Sequence, residues 1–516
     1  MLQLATLLTV LYGLYMAMSR RTRALPPALR PLGPLLLVAG VAASGVLSAC
    51  VPNLGSLPKV SSPQTYAVAK SFDAPAAEWP SDDWWTAYDD PQLTALIAEA
   101  LKGAPDLRIA EARVREASGV AEQNGAYRLP QVSAKGSADE ARVAQSIGLP
   151  PSVSSFLPGG FHVLGQASAN ISYELDFFGR NRARFAAATS AADAQRADQA
   201  SARLELSIAV ANAYADFARL SADRDVAAQS VRVRQDTSRL VASRLKNGLE
   251  TRGEFSQENA TVSAAQAQVE SLDLQVLLAR HQIAALLGDG PDRGLRLQKP
   301  DRSAGLLHPY GLPPTLSFNL IGRRPDIVAA RLTAEAARQR IKAARADFYP
   351  NIDLAASALA ISLNDQNIFS HNINLTQFGP AISLPIFTGG QLEGAYRGSR
   401  AQYDEAVATY DKTLANALKD VADSIAQVRS IQAQLSDAKA SLSADEDAYN
   451  IAKLRYQGGL SPYLNVLTAE NAVLQQRQIV TDLDARSLTY DLAMVHALGG
   501  GFNEAARPSA ASHSTR

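Results

Sequence analysis

The sequence predicts a chain of mixed α and β class that is mostly long α-helix, carries four strands and is written twice. Three observations predict it. Punctuating residues recur at fixed offsets. Pro105-Asp106-Leu107 and Pro130 match Pro325-Asp326-Ile327 and Pro350 at 220, and Gly179, Gly248 and Gly288 match Gly390, Gly459 and Gly499 at 211. The run from Arg180 to Lys246 holds neither proline nor glycine. Four short segments alternate apolar and polar residues. Matched punctuation over so long a stretch reads as tandem duplication, with a loop nine residues longer in the first copy between Pro130 and Ile171.

The N-terminus carries an address. Arg20, Arg21, Arg23 and Arg30 precede the apolar stretch Pro34 to Leu47, which ends in Leu47-Ser48-Ala49-Cys50. This basic, apolar, small-residue order reads as an export signal. Its ending resembles the bacterial lipobox, in which the cysteine thiol receives a diacylglyceryl group and becomes the mature N-terminus. Cys50 is the only cysteine of the 516 residues, so no internal disulfide or paired-thiol site can form. A signal peptide that happens to contain a buried cysteine is the competing reading. The earlier apolar run Leu2 to Met18 is short for a membrane helix, and translation from Met18 gives an ordinary basic n-region.

Each copy then repeats one order: helix, strand, loop, strand, long helix, tight turn, long helix. At about 1.5 Å per residue the run 180–246 reaches roughly 100 Å, the length of a coiled coil or helical tube. Leu204, Ile208, Ala211, Ala215, Ala218 and Ala222 recur at steps of four and three. Val262, Ala265, Val269, Leu272, Val276, Ala279 and Ile283 do the same after Asn247-Gly248. That spacing makes a knobs-into-holes seam, and alanine knobs let helix axes approach closely.

Strands are expected over 168–177 and 378–386, with weaker alternators over 131–139 and 351–360. Ala169, Ile171, Tyr173, Leu175 and Phe177 share one face. Phe378, Pro380, Ile382, Leu384 and Ile386 keep it in the second copy, although two prolines there fit a central strand poorly. Strands of this length and alternation suit a membrane β-barrel, lipid outside and water inside. Four strands cannot close around a lumen, whereas three chains supply twelve. A small soluble sheet packed on helices is the alternative. Val143 to Gly165 and Leu363 to Leu375 read as exposed loops.

Composition agrees. The formal charge is zero, and the four arginines of residues 1–49 have no acidic counterpart, so the mature portion stands at 0 − 4 = −4. No basic stripe with interleaved aromatics points to nucleic acid. Nothing after Cys50 is long and apolar enough for a transmembrane helix. Six histidines without ligand spacing and no phosphate loop leave no positive sign of catalysis, a metal or a cofactor.

At this point the chain resembles the TolC-like outer-membrane efflux family, in its NodT/OprM-type lipoprotein branch. The resemblance rests on the lipobox at Cys50, on Trp84-Trp85 through Asp90-Pro91-Gln92-Leu93, and on Leu312-Pro313 with Arg324-Pro325-Asp326-Ile327. Ala344-Arg345-Ala346-Asp347-Phe348-Tyr349-Pro350 and Leu384-Pro385-Ile386-Phe387 complete it, so that it covers roughly residues 45–500. It implies a homotrimer with a 12-stranded transmembrane β-barrel in the outer membrane and an α-barrel in the periplasm. The expected domains are a signal peptide at 1–49, an anchor and equatorial segment at 50–104, and repeat 1 at 105–288. An equatorial linker at 289–324, repeat 2 at 325–499 and a disordered tail at 500–516 follow. The implied partners are a periplasmic adaptor protein, an inner-membrane pump of RND type and outer-membrane lipid.

The resemblance also assigns residues. The tips Gly248, Leu249, Gly459 and Leu460 would dock against the adaptor, although helix-to-helix turns need such glycines without any partner. Tyr456 matches the family's constriction tyrosine. Asn465 and Thr468 stand where relatives often carry gate aspartates, so the entrance ring reads as uncharged. Glu250, Glu254 and Glu258 could line the lumen; as a helical stripe they read more simply as a solvated face. The implied function is a passive efflux duct. A structural coiled-coil envelope lipoprotein without transport and a duct of a type I protein secretion system are the alternatives.

Overall fold

A computed structural model describes residues 51–75, 77–142, 161–300, 316–363 and 374–506. Cys50, the signal segment and residues 507–516 lie outside them. In chain order the elements are α1 (Pro91–Gly103), α2 (Pro105–Ala126), β1 (Gln131–Arg142), β2 (Phe161–Glu174), α3 (Arg180–Lys246) and α4 (Arg252–Leu287). They continue with α5 (Asp292–Leu295), α6 (Leu316–Arg323), α7 (Pro325–Ala346), β3 (Asn351–Leu363), β4 (Asn374–Ser383), α8 (Gln391–Gln457) and α9 (Tyr463–Ala497). The helices α3 and α8 are each 67 residues long, and α2 and α7 are each 22. No helix among the described residues is long and apolar enough to cross a membrane.

The chain divides into two compact units. One draws on the described parts of Met1–Leu57, Gly125–Arg184 and Gln339–Ala401. It contains a single antiparallel sheet in the order β1-β2-β3-β4. The register puts Val132, Ile171, Ala356 and Phe378 in one row across all four strands, with Tyr173, Leu354 and Pro380 in the next row on that side. Ser133, Asn170, Ser357 and Gln377 form a row on the other side. Apolar faces are therefore aligned from strand to strand, as a one-residue slip would forbid. Among the described residues nothing covers that side: Phe378 is 92% exposed, Val132 73% and Ile382 69%.

Strand boundaries differ from the expectation. β2 begins at Phe161, so 161–165 are strand and not loop, and it ends at Glu174. The backbone then turns through Asp176, whose carboxylate accepts from the N–H groups of Asn181 and Arg182 at the start of α3. β4 spans Asn374–Ser383, earlier than expected, which leaves Pro385 beyond it and Pro380 on a strand at the end of the sheet order. An end strand tolerates a missing N–H. Residues 143–160 and 364–373, expected as loops, lie outside the described residues.

The Asp347-Phe348-Tyr349 motif holds this unit together below the strands. Arg180 and Arg184 both reach Asp347, at 3.6 and 3.2 Å. Phe348 meets Tyr396 edge-on at 6.1 Å, and Tyr349 stacks on Phe178 at 4.7 Å.

The second unit comprises the described parts of Pro58–Asn124, Phe185–Arg338 and Gln402–Arg516. Its main core joins Trp84, Trp85 and Tyr88 to α1, α3, α4 and α9. Asp90 caps α1 through the N–H groups of Gln92 and Leu93, and its other oxygen accepts from the Tyr214 hydroxyl at 2.7 Å. Tyr88 donates to Asp491 at 2.6 Å, and burial pushes that carboxyl up to about 7. On α4 every residue of the expected seam is inward. On α3 the buried surface is wider than the alanine seam, because Val210, Tyr214, Phe217 and Leu220 also face the Trp84 cluster.

Gly500 to Ala506, expected as part of a disordered tail, are ordered. Phe502 packs on Ala197, Ala200, Val328 and Ala329, and Glu504 pairs with Arg331. Gly499 ends α9 at φ +84°, and a Cβ there would strike the Arg323 carbonyl. Gly499→Ala is expected to cost about 2 kcal/mol, from left-handed strain plus overpacking, read as a lower denaturant midpoint.

Candidate functional site

The candidate site is built on the two turns that join α3 to α4 and α8 to α9. Both helices stop in the same way. Gly248 takes φ +70° and Gly459 takes φ +74°, which glycine alone adopts without strain. Leu249 N–H returns to Arg244 O at 2.9 Å and Gly248 N–H to Leu245 O at 3.0 Å. Leu460 N–H returns to Arg455 O and Gly459 N–H to Tyr456 O, at 2.8 and 3.0 Å. These are paired Schellman closures, and they satisfy the last carbonyls of each long helix. The next helices start differently. α4 has a capping box, with Thr251 and Glu254 bonded reciprocally, whereas α9 begins after Pro462. Leu249 and Leu460 project outward, 63% and 73% exposed.

Beneath the tips, Val241, Tyr456, Tyr463, Val466 and Leu467 form a small core. Tyr456 is buried there, and its hydroxyl donates to Glu250 Oε1 at 2.7 Å. Arg244 binds the same carboxylate oxygen at 3.0 Å, donates to the Tyr456 carbonyl at 3.3 Å and lies 4.6 Å from the centre of its ring. One guanidinium thus ties the end of α3 to the end of α8. Burial and the Glu250 carboxylate both push the Tyr456 hydroxyl up, so it remains a donor at any physiological pH. Asn465 and Thr468 are exposed on α9, and the Thr468 hydroxyl is turned onto its own helix at Leu464 O.

The three glutamates are not a solvated stripe. Glu250 sits between Arg244 and Tyr456, Glu254 caps α4, and Glu258 is wholly buried. The Tyr463 hydroxyl donates to Glu258 Oε2, while Oε1 of the same carboxyl has no partner. Nearby, Glu470 of α9 meets Arg234 at 3.7 Å and Thr237 at 3.5 Å, both from α3. Sequence reading missed Arg234, Arg244 and Glu470. Arg234 and Glu470 pair across more than two hundred residues, as does Arg244 with the Tyr456 carbonyl, and no local period marks them.

Among the described residues no group of three or more histidine, cysteine or acidic side chains could hold a metal ion. What this arrangement offers is a polar fastening between the two helical hairpins.

Comparison with known proteins identifies the class. The family model described as "Outer membrane efflux protein" matches residues 96–289 and 316–500. The fusaric acid resistance protein FusA of Burkholderia cepacia is 36% identical over 371 residues, 69% of this chain and 68% of that one. The multidrug resistance outer membrane protein MdtP of Escherichia coli K12 is 27% identical, over 92% and 98%. The crystal structure of the outer membrane protein VceC of Vibrio cholerae superposes with a TM-score of 0.74 at 38% identity, over 82% of this chain and all of that one. The chain belongs to the outer membrane efflux protein family, and it is an outer-membrane efflux channel. These relatives favour neither a structural lipoprotein nor a protein-secretion duct.

Proposed function

We propose that three copies of this duplicated chain close their sheets into one 12-stranded barrel, continuous with a helical duct for small molecules. The observation that carries this reading is the four-stranded sheet itself. Among the described residues its outer strands, β1 and β4, have no further strand beside them, and its aligned apolar face is bare. Lipid leaves no water to satisfy such edges, so they must pair with other copies. The relatives named for fusaric acid and multidrug resistance support small organic cargo, with choice of cargo left to an inner-membrane RND-type pump.

Cys50 carries the lipid anchor, and the six expected segments (1–49, 50–104, 105–288, 289–324, 325–499 and 500–516) serve as signal, anchor, repeat, linker, repeat and tail. Gly248, Leu249, Gly459 and Leu460 dock the periplasmic adaptor. Tyr456, Asn465 and Thr468 form the gate, which opens when the α8–α9 hairpin leaves the Arg244–Glu250 fastening. The adaptor shifts this equilibrium only by its differential affinity for the two states.

Two measurements test this. A cysteine in β1 combined with one in β4 should give a crosslinked ladder that stops at three copies; a ladder that stops at two, or runs on past three, refutes the barrel. In planar bilayers Tyr456→Phe removes a hydrogen bond to a charged group, worth about 1.5–3 kcal/mol, and should raise the open fraction by roughly tenfold or more. An unchanged open fraction removes Tyr456 from the gate.

A further inference from the structure

The described chain starts one residue after Cys50, and among the described residues Arg400 is the side chain that holds its first turn at 54–56; further on, the Tyr403 hydroxyl donates to Pro58 O at 3.0 Å and Asp411 accepts from Ser61 N–H at 2.9 Å. Arg400, on the third turn of α8, spreads its guanidinium under three consecutive carbonyls. Nη2 donates to Leu54 O at 3.1 Å and to Ser56 O at 3.0 Å, and Nη1 donates to Gly55 O at 3.1 Å. Consecutive carbonyls of an extended strand point alternately to opposite sides and cannot converge in this way. They converge here because Gly55 is left-handed at φ +77°, with its N–H held by the Asn53 side chain at 3.1 Å. The planar fork of arginine suits such a cradle, and a lysine ammonium cannot span it.

We propose that Arg400 is a positioning residue that clamps the strap Leu54–Ser56 onto α8 and thereby sets where the acyl group on Cys50 can reach. This rests on the lipoprotein reading above. Leu54 is four residues after Cys50, so chain length alone limits the Cys50 Cα to roughly 14 Å from the strap. Arg400 itself stands nine residues into α8, about 14 Å of helix rise from Gln391. Just ahead of that helix start, Ile386 and Phe387 are 92% and 90% exposed, and Phe378 and Ile382 of β4 are bare as well. The clamp therefore keeps the acyl chains at the level of the apolar residues that meet lipid. Without it, the strap swings and the anchor no longer presents the sheet to the membrane.

The test uses the full-length chain exported to its own envelope. The N-terminal peptide is analysed by mass spectrometry, cleavage after Lys59 by trypsin is timed, and the fraction recovered as inserted, detergent-resistant oligomer is measured. Arg400→Ala should leave Cys50 acylated, speed cleavage by about tenfold and lower the inserted fraction severalfold. Arg400→Lys should fall in between. Gly55→Val should match Arg400→Ala, because a β-branched residue strains at that φ while α8 is untouched.

A wild-type cleavage rate in Arg400→Ala overturns the clamp. So does fast cleavage in Arg400→Ala with none in Gly55→Val, since Arg400 would then act through α8. Faster cleavage with an unchanged inserted fraction overturns the positioning role. An unacylated Cys50 in the wild type refutes the lipoprotein reading, and the role in setting acyl reach falls with it; the cleavage rates still report whether the strap is clamped.

Discussion

Arg324→Met is expected to lower the stability of the helical unit by about 3 kcal/mol, one of the two largest single effects in the chain. Arg324 is 5% exposed and stands where α6 gives way to α7. Pro325 bars the residue before it from helical backbone, so the chain must turn there. Its guanidinium binds Asp326 at 2.7 Å and Asp420 of α8 at 3.2 Å, and donates to the Ala497 carbonyl at the end of α9 at 3.4 Å. The start of α7, the middle of α8 and the end of α9 therefore share one cation, above a core that includes Leu320, Ile327, Leu414 and Leu498. Methionine keeps the stem volume, so the loss measures the charge and its hydrogen bonds. The two carboxylates are about one-third exposed and can hydrate, which keeps the cost below that of a fully buried orphan. Denaturant midpoints of Arg324→Met, Asp420→Asn and the double variant check this. Additive losses would show that Arg324 and Asp420 do not act together.

The contrast between what could and could not be read from the sequence follows from this geometry. Arg180–Lys246 was legible as one helix because an unbroken run without proline or glycine has a single regular outcome, and α3 has those bounds. Gly248 and Gly459 were legible as stops and Gly288 and Gly499 as matched punctuation, and all four have positive φ. Strand ends were less so. Alternation in 168–177 runs on past Glu174 into the turn at Asp176, because the turn's residues continue the pattern without continuing the ladder. The role of Asp347-Phe348-Tyr349 was visible as a motif, but its reason was not, since Arg180, Phe178 and Tyr396 come from elements far away in the chain. The glutamates show the same limit. Spacing at i, i+4, i+8 places them on one face of an ideal helix; it does not reveal that Glu250 precedes α4 while Glu258 sits under Tyr463.

That buried end of the stripe makes the fastening beneath the tips sensitive to protons. Glu470 faces Arg234 and Thr237 from α3, Glu258 from α4, and Tyr449 and Lys453 from α8. Burial chiefly, and the neighbouring Glu258 charge in addition, push its carboxyl from an ordinary 4.5 up to about 7 against the pull of Arg234. Glu258 is itself pushed up by burial. The packed state thus holds a proton that the unfolded chain gives up near 4.5. Stability from this group is whole below pH 4.5 and is lost as pH rises through 7, by about 3 kcal/mol in all. Glu470→Gln cannot titrate, so its advantage over the wild type should grow across that window and level off above it. Asp491 titrates in the same range in both proteins and cancels from the difference. Glu258→Gln removes the repelling neighbour and should move the wild-type loss to lower pH. Denaturant midpoints measured from pH 4.5 to 8.5 read all three, and parallel curves for the wild type and Glu470→Gln would show that Glu470 keeps an ordinary affinity for its proton.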